Sequence, residues 1–157
     1  MLVKKPRYLL WISAVEAVGI LSGLLSRRGT EIYSELARKP ALSPPAILFP
    51  IVWTILYALM GIGAARVDAS MPGRTRNRAL NIFVIQLVVN FFWSLIFFNA
   101  QAYGFAFLWL LLLWGMIIVM TVLFYRVDRL AALLQIPYLI WVTFAAYLNY
   151  GVWQLNG

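Results

Sequence analysis

Five apolar runs of about twenty residues each, divided by short basic connectors, constrain this chain more than any other feature. A run of that length matches the hydrocarbon core of a bilayer. In hydrocarbon a backbone must satisfy its own hydrogen bonds, and a single segment does so only as a helix. Residues 8–25, 46–65, 79–98, 105–125 and 130–153 therefore read as spans. The expected fold class is an all-α integral membrane protein, a single five-helix transmembrane bundle over residues 1–157, with residues 26–43 as an outer connector. Composition agrees, because 11% of the residues are charged where a soluble domain carries about 25%.

Lys4, Lys5 and Arg7 precede the first run, as in a secretory signal. The stretch Tyr8 to Leu25 is long for such a signal and leads into Arg27-Arg28 without a small-residue cleavage site, so a retained first helix is expected. The net charge of +8 comes from thirteen Lys and Arg that sit in connectors rather than on a helical face beside stacking aromatics. Orientation in a bilayer explains them better than nucleic acid does. Nine lie at the N-terminus, in 66–78 and in 126–129, against four in 26–43 and none near the C-terminus. The positive-inside bias then puts the N-terminus in the cytoplasm, with connector 26–43 and the C-terminus outside.

Cys and His are both absent, which excludes disulfides and thiolate chemistry and removes the usual metal ligand, general base and haem ligand. No metal site and no obligatory cofactor is expected. Seven Trp, eight Tyr and ten Phe remain as the chemical resource of the chain.

Helical spacing sorts these residues into faces. Trp53, Tyr57 and Gly61 share a face of the second span. Gln86, Asn90, Trp93, Ser94 and Phe97 share one of the third, and Tyr138, Trp141, Ala145 and Asn149 one of the fifth, near whose start Pro137 allows a bend. Amides in hydrocarbon need partners, so these faces point into the bundle. The fourth span is apolar all round and is expected to face lipid over much of its surface, with Trp109 and Trp114 as packing or interfacial residues. Glu16 is the one acid inside an apolar run and should face the interior or be protonated, as a functional or a structural residue. Gly19-X-X-X-Gly23 permits close helix approach.

Connector 26–43 has the pattern of a short amphipathic helix over residues 31–37, with Ile32, Leu36 and Tyr33 turned inward as a folded lid. The connector 66–78 reads as a solvated basic loop. Lys39-Pro40-Ala41-Leu42-Ser43-Pro44-Pro45 should be extended until Ser43 caps the second helix, with Pro44 in its first turn and Trp53 about two and a half turns below the mouth. Together the inward faces suit a large, flat, mostly apolar ligand held between helices and oriented by one or two amides. Arg27, Arg28, Arg38 and Lys39 at the mouth are placed to meet a carboxylated edge. The alternative is that the aromatics fill a dry core.

Three separated motifs carry a resemblance. They are Tyr33-X-X-Leu36-X-X-Lys39-Pro40-X-X-X-Pro44-Pro45 running on to Phe49-Pro50-X-Val52-Trp53-Thr54-X-Leu56-Tyr57, then Gln86-Leu87-X-X-Asn90-X-X-Trp93-Ser94 with Phe97-Phe98, then Pro137-Tyr138-Leu139-X-Trp141 through Leu148-Asn149-Tyr150-X-Val152-Trp153. In order and spacing these resemble the translocator protein family, also called tryptophan-rich sensory proteins or peripheral-type benzodiazepine receptors. The resemblance implies a homodimer in a bacterial cell membrane, in contact with lipid. It implies a pocket beneath the first connector for porphyrins, sterols and synthetic aromatic ligands. Pocket positions carried over by motif are Tyr33, Pro44, Phe49, Trp53, Tyr57, Asn90, Trp93, Tyr138, Trp141, Ala145 and Asn149. Some bacterial members are associated with light-dependent porphyrin breakdown, a role that would fall on Trp53 and Trp141 with the porphyrin as substrate. Ile32 and Leu42 stand where the family usually has Trp, which weakens the lid side. No Lys or Arg follows Tyr150, so the cholesterol-recognition pattern of animal members is incomplete.

Overall fold

Each apolar run folds as a helix long and apolar enough to cross a membrane. The computed structural model describes residues 4–36 and 38–156, without the side chain of Leu36, so the inward turn expected of Leu36 lies outside the described residues. The helices are α1 (Lys5–Leu25), α2 (Arg27–Leu36), α3 (Leu48–Asp68), α4 (Arg74–Ser94), α5 (Tyr103–Val127), α6 (Arg129–Leu133) and α7 (Ile136–Asn156), and a π-helical segment, Leu95–Asn99, extends α4. The spans are α1, α3, α4 with the π segment, α5, and α6 with α7. Apolar side chains such as Leu9, Leu10, Leu108 and Ile140 point outward, as a lipid environment favours.

The bundle closes tightly at one end and stays open at the other. α1 packs on α3, and α5 joins α4 to α7. At the closed end α3 carries Gly61, Gly63, Ala64 and Ala65, all buried. A Cβ on Gly61 would meet the backbone of Ile12, and one on Gly63 the side chain of Gln135. Small residues there let backbones approach, and Phe83, Phe124, Ile117 and Met120 fill the space between. α5 contributes a buried stripe of Ala106, Leu110, Leu113, Ile117, Met120 and Phe124 while its other faces look outward. Trp109 Nε1 donates to the Val89 carbonyl at 2.7 Å and Trp114 Nε1 to Thr143 at 2.9 Å, so both indoles serve helix packing.

The same end carries the ion pairs. Arg66 bonds Asp128 through two nitrogens, Arg76 bonds Asp68 at 2.7 Å, and Trp11 Nε1 donates to Asp68 at 3.0 Å. The expected basic loop over 66–78 is therefore mostly helix, with residues 69–73 as the connection, and its arginines at 66 and 76 are tied to acids. Removing either partner of the part-buried Arg66–Asp128 pair would leave an uncompensated charge.

The start of α3 differs from the sequence expectation. Ser43 does not cap it: the Ser43 hydroxyl donates to the carbonyl of Pro40 at 2.7 Å, and the helix begins at Leu48. A local side-chain turn competes with capping, and the Pro44-Pro45 pair biases Ser43 and Pro44, the residues before each proline, away from the helical region, so that a turn at 46–47 leads into the helix. Pro50 rather than Pro44 occupies the first turn, where its missing N–H costs no helical bond. Trp53 consequently sits about one and a half turns into the helix, not two and a half. The fifth span is broken at residues 134–135, immediately before α7, whose second residue is Pro137.

The lid is a longer helix than expected, starting at Arg27 instead of residue 31. It docks on the π segment. A Cβ on Gly29 would strike the backbone of Phe98, Asn99 Nδ2 donates to the Leu25 carbonyl at 2.8 Å, and the Tyr33 ring meets Phe97 and Phe98 at 5.4 and 5.5 Å. The wider π turn brings these two phenylalanines under the lid.

Candidate functional site

A cavity of about 520 Å³ occupies the open half of the bundle beneath α2. α3 supplies its aromatic wall. Phe49, Trp53 and Tyr57 fall on one stripe, with Trp53 tilted against Tyr57 at 5.4 Å and set edge-on to Tyr138 at 6.2 Å. α7 supplies the facing wall with Trp141, Ala145 and Asn149, and Phe49 meets Trp141 edge-on at 5.8 Å. The third wall is Trp93 and Phe97, stacked at 5.0 Å. Tyr33 and Pro44 complete the roof.

Two of the expected pocket residues are elsewhere. Asn90 is 4% exposed and Tyr138 0%, and neither lines the cavity. They form a floor beneath it. Tyr57 donates to Asn90 Oδ1 at 3.0 Å, Asn90 Nδ2 donates to Tyr138 Oη at 2.8 Å, and Tyr138 donates to Gln86 Oε1 at 2.7 Å. Gln86 Nε2 ends the chain on the Phe83 carbonyl at 2.9 Å. Asn149 does line the cavity, yet its amide accepts from Trp93 Nε1 at 3.0 Å and donates to the Tyr103 carbonyl at 2.8 Å. The amides expected to orient a ligand are thus engaged in holding Tyr57 and Trp93 in place. Unpaired amides in an apolar interior cost more than any ligand contact held in reserve would return, so the protein pairs them internally.

Of the four mouth cations, Arg27 and Lys39 line the cavity and Arg28 and Arg38 do not. Lys39 Nζ stands 5.3 Å above the Tyr33 ring. Burial, and then the neighbouring Tyr103, push the Tyr33 hydroxyl above the usual tyrosine pKa, so it stays a neutral donor. Arg38 serves through its backbone: its N–H donates to Asn156 Oδ1 at 2.8 Å and its carbonyl accepts from Asn156 Nδ2 at 2.7 Å. Tyr147 donates to the Ala41 carbonyl at 2.7 Å, and Gly151 leaves room for the Pro40 ring. The strap 38–41 is therefore fastened along α7. Leu42 follows with φ of 68° and is 79% exposed, pointing away from the cavity, while Ile32 is half-buried.

Sequence reasoning turned Glu16 and the small residues of α1 toward the interior but named none of them as pocket residues. Glu16, Gly19, Ser22 and Gly23 line the cavity, with Gly19 pressed against the Tyr57 ring and Gly23 facing open space. The Gly-X-X-X-Gly pair is thus split between one close approach and one opening. It was legible as a stripe of small residues around Glu16, but the spacing alone does not distinguish contact from void.

Comparison with known proteins bears on this architecture. A profile of the TspO/MBR family matches residues 11–154. The chain is 38% identical to the tryptophan-rich protein TspO of Chlorobaculum tepidum over 141 residues, covering 89% of each protein. It is 42% identical to the protein CrtK of Rhodobacter capsulatus over 120 residues, 76% of this chain and 75% of that one. It is 36% identical to the translocator protein of Sus scrofa over 155 residues, 93% of this chain and 91% of that one. The profile runs from the first spanning helix to the last, across both aromatic walls and the lid between them, and the chain belongs to the TspO/MBR family of integral membrane proteins.

Proposed function

We propose that the protein is a membrane receptor or carrier that binds porphyrins and other flat apolar molecules inside the helix bundle. The observation that carries this reading is the lidded 520 Å³ cavity, within the range of small-molecule sites and walled by Trp53, Tyr57, Trp93 and Trp141. Indole and phenol faces stack on extended π systems, and Arg27 and Lys39 at the roof complement carboxylates at a ligand edge. Sterols and benzodiazepine-type compounds belong to the same class of flat apolar ligand. With no histidine in the chain, haem iron would find only weak ligands, so metal-free porphyrin binds about as well as haem. Titration of both in detergent, followed by Trp quenching, tests the reading. Saturable binding of comparable strength is the expected result, and absence of saturation for both overturns it.

The second reading is light-dependent porphyrin breakdown. It is favoured by the position of Trp53 and Trp141 on facing walls of one cavity, each within reach of a bound macrocycle. An excited porphyrin would take an electron from one of these indoles. Illumination should then change the porphyrin spectrum, more slowly in Trp53→Phe and Trp141→Phe. Equal rates in wild type and both variants reject it.

The topology proposed for the membrane places the ion-paired end of the bundle in the cytoplasm and the lid outside. Nine Lys and Arg in the N-terminus and connectors 66–78 and 126–129, against four in 26–43, support that orientation.

A further inference from the structure

The polar side chains of the cavity wall are mostly committed to the protein. Ser22, Thr30, Ser43 and Thr54 give their hydroxyl hydrogens to backbone carbonyls. The two wall carboxyls are different: among the described residues neither Glu16 nor Glu31 makes a side-chain hydrogen bond or an ion pair, but Glu31 sits exposed on the lid whereas Glu16 is part-buried within the first spanning helix. Arg27, the wall cation on the neighbouring element, lies beyond the end of α1, at least about two and a half helical turns away. Lys39 is engaged at the roof over Tyr33.

Glu16 also has a defined aromatic neighbourhood. Gly19, one turn further along the same face of α1, lies against the Tyr57 ring. Trp53 continues that surface at 5.4 Å from Tyr57. A carboxylate beside paired aromatic faces in a mostly apolar cavity is the arrangement that recognises an organic cation. The acid supplies a charge-assisted hydrogen bond, the ring faces attract the positive charge, and a carboxylate left alone there is costly.

We propose that Glu16, with Trp53 and Tyr57, forms a recognition site for a protonated nitrogen, so that the cavity selects flat apolar ligands carrying a cationic N–H donor. The roof cations Arg27 and Lys39 then leave the opposite edge of the ligand for an anionic or neutral group. This rests on the reading that the cavity binds flat aromatic molecules at all.

Three probes sharing one fluorophore separate the two ideas: pyrenylmethylammonium, pyrenylmethanol and pyrenecarboxylate, titrated against wild type and Glu16→Gln in detergent and read by energy transfer from Trp. The substitution keeps the shape of the side chain and removes its charge. In Glu16→Gln the ammonium probe should lose about tenfold or more in affinity, while the alcohol stays within about twofold of wild type. An unchanged ammonium affinity, or an equal loss for ammonium and alcohol, overturns the Glu16 assignment while leaving the cavity as an aromatic site. Failure of all three probes to saturate wild type overturns both.

Discussion

The side chain of Asn156 grips the backbone of Arg38, accepting from its N–H at 2.8 Å and donating to its carbonyl at 2.7 Å. One residue of the last helix thus fastens the strap that ends the lid. Asn156→Ala should speed both association and dissociation of a porphyrin several-fold, with little change in affinity. Global stability should fall by only about 1 kcal/mol, since the contact is exposed. Stopped-flow Trp quenching measures the rates, and unchanged rates would show that the strap does not gate entry.

Tyr138 holds the opposite, sealed end of the site. Tyr138→Phe leaves Gln86 Oε1 without its donor and Asn90 Nδ2 without its acceptor, both in the buried interior. A loss of about 1–3 kcal/mol is expected from the unpaired groups. Thermal unfolding in detergent should show this destabilisation in the absence of any ligand.

Two glycines should respond in opposite ways. Gly61→Ala drives a Cβ into the backbone of Ile12, which cannot yield as a side-chain tip can, and should cost about 1–3 kcal/mol. Gly23→Ala meets nothing within 4 Å and should leave stability unchanged or raise it by up to about 1 kcal/mol, through helix propensity. Unfolding midpoints of the two variants provide the comparison.

Acid sensitivity should trace to Asp128, which lies between α5 and α6. Burial raises its pKa, but hydrogen bonds from Arg66 and from the Ala131 N–H outweigh burial and hold the carboxyl below its ordinary value. A carboxylate with a depressed folded pKa contributes stability above its unfolded value of about 3.9, and that contribution is lost as pH falls through the folded value. Asp128→Asn should therefore be less stable than wild type at neutral pH, with the gap closing below about pH 4. A gap independent of pH would place the effect elsewhere.

The hydrophobic runs, the inward faces and the lid helix were legible in the residues because each depends on local terms. Trp53, Tyr57, Trp93, Trp141, Ala145 and Asn149 share faces at helical spacing, and all line the cavity. The start of α3 was not legible, because Ser43 had two local partners to choose from and took the Pro40 carbonyl. Nor was the π segment, whose Leu95-Ile-Phe-Phe-Asn99 sequence has no helix-breaking residue to mark it.

By itself the sequence determined five spanning helices and the sides that the second, third and fifth turn inward, since hydrocarbon leaves a backbone no other way to satisfy its bonds and side chains repeat every 3.6 residues. Only the tertiary structure decided which inward residues face a void and which face each other. Asn90 meets Tyr57 and Tyr138, Asn149 meets Trp93, and Glu16 meets no partner among the described residues. Those pairings join residues 33 to 56 positions apart, so they depend on how helices cross rather than on any local pattern.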